Sequence, residues 1–190
     1  MIVQGVSISE MLNQSIKVLT RPGIATFEQY EKRGTRREAL IYVAVAAAVG
    51  AVVALVFGVL GLFWGGSFLG LIRDFLGAFI GPVAGFFVFA YVLYWMGRQQ
   101  GGTGTQDEVF YTVALYAAPI LAINGAFGNI PIIGLLYLPI LFVLSLYQIY
   151  LAYLASRSSL NLRDDTKAII SVVAAILAQW LVMSLVFSIF

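Results

Sequence analysis

Residues 39–63 read ALIYVAVAAAVGAVVALVFGVLGLF, twenty-five positions without an Asp, Glu, Lys or Arg. A helix rises about 1.5 Å per residue, so about 20 apolar residues cross a hydrocarbon core about 30 Å thick. This stretch is long enough to span a bilayer. Four others resemble it, at residues 75–96, 109–127, 132–155 and 168–190, and none has an acidic or basic residue in its interior. The expected fold class is therefore all-α. A polytopic bundle of five transmembrane helices occupies residues 39–190, preceded by a cytoplasmic segment, residues 1–38, that carries a short amphipathic helix.

Composition agrees with that reading. Of the 190 residues 61% are hydrophobic and 11% are charged, where a soluble domain has about a quarter charged; the mean hydropathy is +0.95. The first apolar stretch begins behind a polar segment, and no cleavage-like site precedes a soluble domain, so no removable signal peptide is expected. The chain has no Cys and no His. Disulfides, thiol nucleophiles, imidazole bases and the common zinc or haem ligand sets are excluded. No serine stands beside a plausible base, so no enzyme, no catalytic residue, no cofactor and no metal are expected. A net charge of +2 gives no basic patch for nucleic acid.

Charge placement sets orientation. With the N-terminus inside, Lys17, Arg21, Lys32, Arg33, Arg36, Arg37, Arg98, Arg157, Arg163 and Lys167 are cytoplasmic and only Arg73 lies outside. By the positive-inside rule this puts the N-terminus in the cytoplasm and the C-terminus outside, in a plasma (inner) membrane of prokaryotic type.

Ser7 and Glu10 have capping-box spacing, with Val6 and Met11 as a hydrophobic staple, so a helix is expected over about residues 7–20. Ile8, Met11, Leu12, Ile16 and Leu19 make its apolar face, and Arg21 and Pro22 stop it. That face is expected to meet the membrane surface, the bundle or a protein partner. Small residues recur at fourfold spacing: Ala46, Gly50, Ala54 and Gly58; Gly77, Gly81 and Gly85; Ala114, Ala118, Ala122 and Ala126. Gly50, Gly58, Gly77, Gly81, Gly85, Ala118 and Ala122 are the candidate packing positions, within one bundle or in a homo-oligomer. Pro82, Pro119 and Pro139 lie inside spans and are expected to kink them.

Residues Val18-Leu19-Thr20-Arg21-Pro22-Gly23 with Phe27, the loop Gly101-Gly102-Thr103-Gly104 leading to Tyr116-Ala117-Ala118-Pro119, then Ile130-Pro131-Ile132-Ile133-Gly134, and the closing Tyr147, Tyr150, Tyr153 and Leu160 to Ala168 together resemble the Yip family of five-span membrane proteins, in its short prokaryotic form. The resemblance implies a five-helix bundle and, in eukaryotic relatives, vesicle traffic with Rab-type GTPases and membrane-curvature proteins. This sequence lacks the long cytoplasmic N-terminal region and the Asp-Leu-Tyr-Gly-Pro element of those relatives, so GTPase binding is not carried over. The resemblance points to a nonenzymatic scaffold or adaptor in membrane organisation, its partners the lipid bilayer and further copies or other membrane proteins.

A second reading comes from the tyrosines. Tyr42 and seven others, Tyr91, Tyr94, Tyr111, Tyr116, Tyr147, Tyr150 and Tyr153, all map to the cytoplasmic half, against Tyr137 in the outer half. Interfacial belting explains much of this. The alternative is a vestibule facing the cytoplasm, formed by these seven with Gln148 and rimmed by Arg98 and Arg157, in a small uncoupled transporter, channel or lipid-binding protein. Tyr116 lies about 10 Å inside its span and its hydroxyl is expected to bond Gln148 or a water. The outer-half amides Asn124 and Gln179 are expected to join helices. The Gly101–Gly104 loop lacks phosphate-loop spacing and is expected to be a flexible connection, with Thr105 or Asp107 capping the next helix.

Overall fold

The computed structural model describes residues 5–189, and these form seven α-helices: α1 (Ile8–Thr20), α2 (Ile24–Glu28), α3 (Arg36–Leu62), α4 (Phe68–Gln99), α5 (Gln106–Gly128), α6 (Ile133–Ser159) and α7 (Asp165–Ile189). The last five are long and apolar enough to cross a membrane. The all-helical, five-span expectation is met, with the short helix in front of it.

α3, α4 and α5 begin ahead of their apolar stretches because polar residues cap their starts. Thr35 and Glu38 make a capping box that starts α3, and Thr105 with Glu108 makes one that starts α5. Thr105 is therefore the cap; Asp107 instead accepts the Arg36 backbone N–H at 2.9 Å and ties the two helix starts together. Ser67 caps α4, which takes Arg73 and Asp74 into its first turns. All three prolines lie within continuous helices.

The bundle is built around α5, which packs against α3, α4, α6 and α1. It is the least hydropathic of the spans and the most deeply buried. A helix shielded from lipid can hold polar side chains that lipid-facing helices cannot. The connection from α5 to α6 is short; Pro131 lies ahead of the helix and Ile132 takes φ +68 before α6 begins.

The small-residue stripes pack within the chain. A Cβ added at Gly50 would come 2.9 Å from the Gly125 Cα, so α3 and α5 touch backbone to backbone. Gly58 faces Leu71 of α4, and Gly81 and Gly85 face Met183 of α7. Gly77 and Ala118 are buried and Ala122 is half-buried.

Candidate functional site

At one end of the bundle α1 and α2 are seated on the spans. The buried stripe of α1 is Met11, Gln14, Ser15 and Val18, whereas Ile8, Leu12 and Ile16 are 43%, 48% and 52% exposed. Of the apolar face expected from the sequence, Met11 is buried and Leu19 packs half-buried against the core, while the row of Ile8, Leu12 and Ile16 is turned away from the bundle. The cause is the surface beneath: tyrosine hydroxyls from three spans meet α1, and its polar residues are the ones that can bond them.

Tyr111 donates to the Gln14 Oε1 at 2.8 Å, Ser15 and Tyr42 share a hydrogen bond at 3.1 Å, and Tyr147 donates to the Leu19 carbonyl at 2.6 Å. The last of these satisfies a carbonyl in the final turn of α1 that has no helical partner. Phe27 of α2 is fully buried and meets the Tyr116 ring edge-on, with centroids 6.3 Å apart. Lys17 and Arg33 both lie over the Tyr30 ring. Gly34 packs on Tyr111 so closely that any Cβ there would overlap the ring.

Glu31, between α2 and α3, is buried at 5% exposure and accepts a hydrogen bond from the Ser158 hydroxyl at 2.7 Å. Burial raises its carboxyl pKa above the ordinary value of 4.5. The Ser158 bond opposes that rise, nearby Glu108 and Glu28 add to it, and Lys32 works against it.

The remaining tyrosines and arginines of the expected vestibule are dispersed. Tyr91 stacks on Phe87 and Tyr150 leans on Tyr147, both nearly half exposed. Tyr94 packs against the core from a half-buried position. Tyr153 donates to Asp165, and Arg157 pairs with Asp165 and bonds the Tyr153 hydroxyl, joining α6 to α7. Arg98 donates to the Gly102 carbonyl at 3.1 Å. The glycine loop itself is packed and not free: Thr103 N–H donates to the Leu160 carbonyl at 3.0 Å, and Gly104 leaves no room for a Cβ against Ser159.

Only Tyr116 and Gln148 of the expected set reach the interior cavity, a space of about 330 Å³ among α4, α5, α6 and α7. Asn124, Ser145 and Gln179 supply its other polar lining. The expected bond from Tyr116 to Gln148 is not formed; the Tyr116 hydroxyl is buried without a partner. Asn124 does join helices, accepting from Tyr137 of α6 at 2.8 Å. A second cavity of about 780 Å³ shares Pro82, Leu121, Asn124 and Met183 with the first and extends to Arg73 and Asp74 at the far end.

Sequence reasoning missed Gln14, Ser15, Glu31 and Ser158. The signal was available for two of them, because positions 11, 14, 15 and 18 have the i, i+3, i+4, i+7 spacing of a single helix face. Its centre is polar, and a search for apolar faces passes over it.

Among known families the Yip1 domain matches this chain over residues 16–187, from the second half of α1 into the last turns of α7. No curated protein and no solved structure matches it.

Proposed function

The chain belongs to the Yip1 domain family, and from that premise we propose that it is a nonenzymatic integral membrane adaptor, its capped end in the cytoplasm and its C-terminus outside. The capped end carries the exposed Lys17, Arg21, Lys32, Arg33, Arg36 and Arg37, which fits the positive-inside rule. Its working surface is α1. One observation carries this reading: the bundle takes the Met11–Val18 stripe of α1 and leaves the adjacent row of Ile8, Leu12 and Ile16 uncovered on a helix held in place by three spans. A fixed apolar row beside basic residues suits the packing of another membrane protein or a second copy.

A photo-cross-linking residue placed at Leu12 in native membranes is expected to give a discrete protein adduct. The same residue at Asn13, on another face, should not. Adducts to lipid alone would contradict the adaptor reading, and so would solute flux through liposomes holding the purified chain. Orientation is tested with a membrane-impermeant thiol reagent on Ser9→Cys and Ser188→Cys, since the chain has no cysteine of its own. In intact cells only the Ser188→Cys variant should react.

A further inference from the structure

The interior cavity has a chemistry that the adaptor reading does not use. Tyr116, Gln148 and Gln179 lie 7, 7 and 11 residues from the capped-end limits of their apolar stretches, or about 10, 10 and 16 Å at helical rise. All three are therefore inside a hydrocarbon core about 30 Å thick, Gln179 near its middle and the other two about a third of the way across.

Neither glutamine side chain has a hydrogen-bond partner among the described residues, and the Tyr116 hydroxyl has none. Each amide offers two donors and one acceptor, and unmet polar groups at this depth are costly. The fold makes room for them: a Cβ at Gly85 would crowd the Met183 Sδ at 2.9 Å and approach the Gln179 Nε2 at 3.4 Å. Among the described residues no charged side chain lines this cavity, so none of them balances an ionised group there.

Toward the capped end Phe27 packs on the far side of the Tyr116 ring, which lines the cavity. On the other side α6 meets α7 over a shorter contact than α4 does, and Ser145 and Ile149, which line the cavity, are exposed on α6. The cavity volume of about 330 Å³ is within the range of small-molecule sites, and the shared Pro82 and Leu121 continue it into the larger, mostly apolar space.

We infer that this is a binding site for an uncharged lipid with a hydroxyl or carbonyl head. The head bonds Gln148 and Gln179 within the hydrocarbon core. The apolar body passes Pro82 and Leu121 into the second cavity, and the lipid enters from the bilayer between α6 and α7. Recognition is by hydrogen bonding without charge, which separates this ligand from the phospholipids around it.

The test uses the full chain in nanodiscs with four photoreactive probes: a diacylglycerol, an isoprenoid alcohol, an isoprenoid quinone and, for comparison, a phosphatidylcholine. At least one neutral probe is expected to label peptides of α4 to α7 and to be displaced by its own unlabelled form but not by phosphatidylcholine. The double variant Gln148→Leu, Gln179→Leu is expected to need about tenfold more competitor, the loss of about two intramembrane hydrogen bonds. Its thermal midpoint should not fall, since leucine removes two unmet amides. Labelling by phosphatidylcholine equal to that by every neutral probe would overturn the inference. So would competition unchanged in the double variant. The competition in the unmodified chain decides the matter even if the variant fails to fold.

Discussion

Glu31 follows α2, is buried, and bonds Ser158 of α6, so its charge bears on how the N-terminal segment is seated. Its pKa is raised above 4.5 in the docked chain, chiefly by burial, so its protonated form is favoured there. The stability this adds is fully present below pH 4.5 and is lost as pH rises through the raised value. Glu31→Gln keeps an acceptor for Ser158 and never carries charge. The thermal midpoints of this variant and the native chain should therefore coincide near pH 4.5, with the variant the more stable toward neutral pH. Equal midpoints across that range would refute a buried, docked Glu31. Tyr147 acts more locally. Tyr147→Phe removes the donor to the Leu19 carbonyl and should cost about 1 kcal/mol. Trypsin cleavage after Lys17, which requires α1 to open, is expected to quicken about fivefold. None of this was legible from residue types alone. Tyr111, Tyr116 and Tyr147 stood out in the sequence as a group, but their partners Gln14, Phe27 and Leu19 are about 90 to 130 residues away, and only the fold brings them together.

The contact between α3 and α5 decides whether the elements close into one bundle. Gly50 and Gly125 meet at backbone distance, and Asn129 latches them by donating to both carbonyls, at 3.1 and 3.0 Å. Gly125→Leu has no space to fill and should lower stability by about 3 kcal/mol, read as a lower thermal midpoint in nanodiscs. Leucine at Gly128, where an added Cβ meets nothing within 4 Å, is the control and should leave it unchanged. Spans were the most legible feature of the sequence because hydrophobic length is a one-dimensional property. Helix ends were less so: the cap at Thr105 was readable from its place after the glycine loop, whereas the capping box at Thr35 extends α3 through polar residues that hydropathy assigns to a loop. The glycine loop misled for a different reason. Gly101 to Gly104 reads as a flexible linker, yet glycine also permits close backbone approach, and here it lets the loop lie against Leu160 and Ser159.

Across the whole molecule, five membrane-spanning helices and a docked N-terminal segment form one body, and the family match begins inside α1. The resemblance to the Yip family was readable from order and spacing along nearly the whole chain. The seating of α1 was not, because an amphipathic helix before a first span fits membrane surface, bundle or partner equally well. Its two faces settle different questions: Met11 to Val18 bind the bundle, and Ile8, Leu12 and Ile16 remain for a partner under the adaptor reading. An isolated 13-residue helix is marginal in water, so slow exchange of its amides requires docking. Hydrogen exchange of the full chain in lipid nanodiscs measures this most directly. Amides of Met11 to Val18 should be protected nearly as well as those of α5, and the double variant Tyr111→Phe, Tyr147→Phe should lose that protection while α5 keeps its own. Exchange of Met11 to Val18 at the rate of an undocked surface helix would contradict the account.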